Sequence, residues 1–327
     1  MSQSEILAAR FAEEGHRVRS TSSVRNPLLR TADQMASILR WRDIDVMVVD
    51  VFSGRSFRFA EIATLEARLT GRRLVLFLHG GNLPVFAPAH RDRVEKVFAA
   101  ADLVLAPSEH LARTFRAWGY DVRVVPNVVE TDPSIGGPRS SARPALLWMR
   151  TFHEHYDPLM AVRVVARVAQ VRPDAHLTMC GADQGLFAAT KAEAARLGMM
   201  DHISFPGYVR AEAKRRVLEE HDLFLNTNVV DNAPVSVLEA CAAGLVPIAT
   251  AVGGIPSMLD DGHDAVLVPV GEDAAMAEAV LTLLDDAERF AAMSRAAIER
   301  SRRSTWPEVR RRWDEELSLV APERVHR

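Results

Sequence analysis

Short apolar runs rich in β-branched residues alternate with helical stretches along most of the chain, and few folds accept that alternation. Each strand–helix–strand unit covers a parallel sheet on both faces, so the fold class is α/β. In the first half, strands are expected at Arg17–Thr21, Asp45–Val51, Leu74–His79, Leu103–Ala106 and Val122–Val125. In the second half they are expected near Ala145–Met149, His176–Cys180, Ile203–Phe205, Leu223–Asn226, Pro247–Thr250 and Ala265–Val268.

The 327 residues suit two domains. The stretch Thr131–Arg143, with two Pro, two Gly and three Ser, is the best linker, which places a boundary near residue 140. The expected domains are therefore 1–140 and 141–305, followed by a terminal helix over 306–327. In that helix Trp306, Val309, Trp313 and Leu317 recur at spacings of three and four, an apolar stripe that must pack on something. The chain opens on a helix, with Ser2 and Glu5 as a capping box and Ile6, Leu7 and Phe11 as its apolar face. A parallel α/β domain usually opens with its central strand, so the first strand of the N-terminal domain is expected to be missing.

Charge excludes one class of partner. The net charge is only −3, and 37 Arg and 3 Lys are spread along the chain, so no nucleic-acid footprint is visible. Residues 1–140 carry +3 and residues 141–327 carry −6, so the halves are suited to different ligands. Cys180 and Cys241 sit in apolar contexts, which suits buried thiols in a reducing compartment. No apolar run approaches the roughly 18 residues of a membrane span, and the expected location is cytoplasmic.

The most informative segment is Leu223–Pro256, which reads strand, polar turn, helix, strand and Gly-Gly turn. Asn232 is a good N-cap and Pro234 suits the first helical position. The amides of Val235 and Ser236 would then point out of a helix start, where free N–H groups and the positive dipole end suit a diphosphate without a metal. Glu239 lies two turns into an otherwise apolar helix, so its carboxylate is expected to accept hydrogen bonds from a ligand's hydroxyls. Asp231 flanks the same helix start. In the other half, His79 ends a strand beside Gly80 and Gly81, on the side of an α/β sheet where ligands bind. Arg150 ends the strand Ala145–Met149, and its rigid fork suits phosphate oxygens. His153-Glu154-His155 offers alternate residues in a loop with no third ligand in view, so the site is read as metal-free.

These motifs resemble the retaining nucleotide-sugar glycosyltransferases of family 4, which share the GT-B architecture. Leu238-Glu239-Ala240-Cys241-Ala242-Ala243-Gly244 and Gly253-Gly254-Ile255-Pro256 carry the likeness, and DNAPVSVLEA is typical of a capsular or exopolysaccharide subgroup. The resemblance implies two Rossmann-like domains facing a central cleft, the terminal helix crossing back to the first of them. It also implies that Asp231, His79 and Arg150 form the catalytic set. Asp231 touches the transferred sugar, His79 faces it and Arg150 holds the diphosphate. Donor binding would fall to Glu239 on the ribose, with Asn232, Val235, Ser236, Gly80 and Gly81, and with Gly207 of Phe205-Pro206-Gly207-Tyr208 against the nucleobase. The donor implied is a UDP- or GDP-linked sugar, with no cofactor. The implied acceptor is a glycan or a lipid-linked molecule, and weak peripheral contact with the inner membrane face is allowed.

Three departures stand out: Asp231 where the family has Glu, Tyr156 and Asp157 near the place of a family lysine, and the missing first strand. They keep a non-catalytic or truncated nucleotide-sugar-binding relative open as an alternative, beside a sugar-nucleotide epimerase or hydrolase. No G-x-G-x-x-G follows any expected strand, and none of Lys96, Lys191 or Lys214 follows a glycine, which disfavours nicotinamide and phosphate-loop enzymes.

Overall fold

The computed structural model describes residues 3–21, 44–130 and 136–320, and these divide into two compact units. One lies within residues 1–128 and 306–327, the other within 129–305.

The first unit holds β1 (Val46–Val51), β2 (Arg73–Leu78), β3 (Leu103–Ala106) and β4 (Val122–Val124), all parallel and in the order β1-β2-β3-β4. The run Leu74–Leu78 is fully buried, as a central parallel strand covered on both faces should be. Helices Phe57–Thr70 and Arg91–Phe98 close one face through Phe57, Ala60, Val94 and Phe98. The other face is closed from both ends of the chain. Ile6 and Leu7 of helix Gln3–Glu13 and Val309 and Trp313 of helix Trp306–Ser318 pack on Val75, Phe77, Leu103 and Leu105. The terminal stripe thus finds its partner in the first unit. Trp313 stands edge-on to Phe77 with centroids 5.4 Å apart, and Phe11 meets Trp306 in the same way at 5.3 Å.

Arg17–Thr21, expected as a strand, adopts no regular secondary structure. Val18 is its only apolar residue and is exposed, so the segment has no face to bury against a sheet.

The second unit holds β5 (Ala145–Met149), β6 (His176–Cys180), β7 (Ile203–Gly207), β8 (Leu223–Asn226), β9 (Val246–Thr250) and β10 (Val266–Val268). Their order is β10-β9-β8-β5-β6-β7, again parallel. The strand order reverses between β5 and β8, so the crevice that binds ligands in such sheets is expected beyond the ends of those two strands. Of the expected linker, residues 131–135 lie outside the described residues. Its remainder is tied to the second unit: the guanidinium groups of Arg139 and Arg143 converge on the buried carboxylate of Asp222, just before β8.

The terminal helix completes a core rather than decorating it, since Trp313 is 1% exposed. Trp313→Ala should therefore lower the unfolding free energy of the first unit by about 3–5 kcal/mol, read by urea titration. A loss below about 1 kcal/mol would mean that the helix is dispensable.

Candidate functional site

The sheet reversal of the second unit brings two of the expected residues together. Arg150 follows β5 and Asp231 lies in the turn after β8, and their side chains form an ion pair. Asp231 Oδ2 also accepts from Asn228 Nδ2, and Oδ1 accepts from the backbone N–H of Asn232 at 2.7 Å. The Arg150 guanidinium lies over the Tyr156 ring, 4.2 Å from its centre, so it is held between an aromatic face and a carboxylate. Tyr156 is fixed in turn through its carbonyl, which accepts from the Thr227 hydroxyl at 2.6 Å, while Trp148 Nε1 donates to that hydroxyl at 3.0 Å.

Two glycines let the backbones behind this pair approach. A Cβ on Gly253 would stand 1.9 Å from the Asp231 carbonyl oxygen, and one on Gly181 would stand 1.7 Å from that of Arg150. Neither contact tolerates a side chain. The Gly-Gly turn thus braces the Asp231 loop, and Gly254 N donates to the same Asp231 carbonyl at 3.3 Å. Gly181 escaped the sequence reading, because a single glycine after a strand has no spacing that marks it.

Burial pushes the Asp231 carboxyl above the usual carboxylate range. Arg150, the Asn232 N–H and the Asn228 amide pull it back only in part. The acid is a costly group kept beside a cation, which is the pattern of functional sites.

The helix start differs from expectation. The helix is Val235–Ala242 and Pro234 is its boundary residue, with no side-chain cap. Asn232, expected as the N-cap, lies in the turn of Asp231, whose carboxylate takes its N–H, so it stands two residues too early to cap. The first-turn amides of Val235 and Ser236 have no intrahelical partner, and the buried Ser236 hydroxyl makes no hydrogen bond among the described residues. Farther along the helix, Glu239 Oε1 accepts from Lys214 Nζ at 2.6 Å, a partner the sequence did not suggest. Gly207 ends β7, where its carbonyl accepts from Gly181 N at 2.9 Å.

In the first unit, His79 follows β2 with its ring between Phe77 and Phe52, at centroid distances of 4.2 and 5.8 Å. Its Nε2 lies 3.3 Å from Asp50 Oδ1, and the Ser4 hydroxyl donates to the other carboxylate oxygen. Burial raises the Asp50 carboxyl, but the neighbouring His79 imidazole and the Ser4 hydroxyl outweigh it, so it ends below its ordinary value. Gly80 packs against β1's exit, where a Cβ would meet Ser53 N at 3.0 Å, and the half-buried Gly81 continues the turn. Among the described residues no group of three His, Cys, Asp or Glu could hold a metal ion, and no helix is long and apolar enough to cross a membrane.

The profile of the glycosyl transferases group 1 matches residues 138–300, and that of Glycosyltransferase Family 4 matches residues 5–133. The chain belongs to this family of GT-B glycosyltransferases. It is 29% identical to a phosphatidyl-myo-inositol mannosyltransferase of Mycobacterium leprae, over 67% of this chain and 59% of that protein. It is 25% identical to a GDP-mannose-dependent alpha-(1-6)-phosphatidylinositol monomannoside mannosyltransferase of Mycolicibacterium smegmatis, over 86% of this chain and 78% of that one. The matches to the M. leprae enzyme and to a D-inositol 3-phosphate glycosyltransferase of Stackebrandtia nassauensis span only 59% and 53% of those relatives. In fold the chain is similar to Anabaena HepE, solved in complex with UDP, with a TM-score of 0.75 at 16% identity over 95% of this chain and 88% of that one.

Because the folded value of Asp231 lies above its unfolded one, the ionised acid costs stability at all pH above the folded value, and that cost is relieved as pH falls through it. The melting temperature of the native chain should therefore rise relative to that of Asp231→Asn as pH falls through the folded value toward the ordinary carboxylate value. A relative fall would mean that the Arg150 charge outweighs burial.

Proposed function

We propose that this chain moves a sugar from a nucleoside diphosphate to an acceptor hydroxyl with retention of anomeric configuration, without a metal. The observation that carries this reading is the grouping, beyond β5 and β8, of Arg150, Asp231 and an uncapped helix start. A leaving diphosphate needs its developing negative charge met by fixed donors, and donors already in place usually do more than any other effect to lower the barrier. The amides of Val235 and Ser236 and the guanidinium of Arg150 supply them.

In this reading residues 141–305 form the donor domain and residues 1–140 the acceptor-side domain. Asp231 turns from Arg150 toward the transferred sugar once the diphosphate takes the guanidinium, and Glu239 accepts from the ribose hydroxyls. His79, with its Nε2 edge held toward Asp50, serves the sugar, and Gly207 lies at the base. The acceptor attacks on the face of the leaving group, and a phosphate oxygen takes its proton, so no separate base is assigned.

The two mannosyltransferases act on phosphatidylinositol-type acceptors by their names, and HepE is known with UDP, which supports a UDP- or GDP-linked donor and a lipid-linked or glycan acceptor. Polysaccharide or glycoconjugate assembly at the cytoplasmic membrane face, with weak peripheral contact, fits that chemistry.

Ligand that binds only the folded state raises its melting point. We expect one of UDP, GDP and ADP to stabilise the chain, to do so in the presence of EDTA, and to lose its effect in Glu239→Ala. Silence with all three nucleotides would overturn the reading in favour of a relative that no longer binds a donor.

A further inference from the structure

The partner of Glu239 supports a more specific assignment, which rests on the reading that Glu239 accepts from a ribose. Lys214 lies in the first turn of helix Ala211–Glu220, at the positive end of the helix dipole, where a cation is disfavoured. Glu239 lies on helix Val235–Ala242, and the two helices share one apolar layer through Val217, Leu218, Val237 and Ala240. The layer sets their spacing, and Lys214 Nζ reaches Glu239 Oε1 at 2.6 Å. Oε2 accepts no hydrogen bond among the described residues. The residue type matters here, because the chain has 37 Arg and only 3 Lys. An arginine fork grips both oxygens of a carboxylate, whereas an ammonium is a point charge that takes one.

We propose that Lys214 is the positioning residue that turns Glu239 into a ribose receptor: it holds Oε1 and leaves Oε2 aimed outward for the vicinal hydroxyls of the donor nucleotide. It thereby sets the preference of the site for a ribonucleotide over its deoxy counterpart. Lys214 acts through Glu239 and touches no reacting atom, so its loss falls on donor affinity and not on turnover at saturating donor.

The test is calorimetric titration of the full chain with UDP and 2′-deoxy-UDP, or with the guanosine pair if GDP is the stabilising nucleotide. It compares native protein with Lys214→Met, Lys214→Arg and Glu239→Gln, each first checked for an unchanged unliganded melting temperature. The native chain should prefer the ribonucleotide by about tenfold, the scale of a hydrogen bond to a charged group. Lys214→Met and Lys214→Arg should both bring that preference close to one, the first by releasing Glu239 and the second by occupying both oxygens. In Lys214→Met the KM for the donor should rise with kcat unchanged. Native preference in Lys214→Met, or in Lys214→Arg, overturns the inference while leaving the donor site intact if Glu239→Gln loses it. Native preference in Glu239→Gln overturns the ribose reading itself.

Discussion

A carboxylate taken out of water must be met by charge and hydrogen bonds, and in the second unit much of the local structure answers that demand at Asp231. Its side chain is 12% exposed and is met by a guanidinium, an amide and a backbone N–H. Each of these is held by something else. Arg150 is fixed by the register of β5 beside β6 and by Tyr156, Tyr156 is fixed by Thr227, and the Asp231 carbonyl is fixed by the Gly253-Gly254 turn. The arrangement is unfavourable for the ionised acid, since burial still outweighs its partners, and a diphosphate arriving at Arg150 would change the balance for both groups.

The site is placed by topology as much as by chemistry. Because β5 lies between β6 and β8, the chain leaves β5 toward one side and returns to β8 on the other, and their exits stay uncovered by a crossover. The polar residues that follow β8, Thr227 and Asn228, are fully buried and bonded to the loop after β5 and to Thr250 at the end of β9. A loop that would otherwise wander becomes a rigid wall. Cys180 and Cys241 are free buried thiols, and burial pushes both up, Cys180 to about 12, so neither is a nucleophile at neutral pH.

In the first unit the corresponding support is different. His79 is ordered by two aromatic rings and an acid that is itself ordered by Ser4 from the opening helix. That helix and the closing one share a single apolar face of the sheet, so both ends of the chain are needed to shape the surroundings of one imidazole.

Much of the architecture was legible in the linear pattern. Ten strands were recognised within a residue or two, because a buried parallel strand must be a short apolar run whatever surrounds it. The apolar stripe at Trp306–Leu317 likewise announced a helix, though not which sheet would receive it. Arg17–Thr21 failed because β-propensity without an apolar face does not make a strand, and Asn232 failed because capping preference is local while the helix starts only at Val235, with Pro234 as its boundary residue. The sequence by itself determined the fold class and the residue types gathered where the second sheet reverses. Only the tertiary structure decided that Arg150 meets Asp231, that Lys214 meets Glu239 and that Gly181 must be small, because each depends on strands or helices distant in sequence packing side by side.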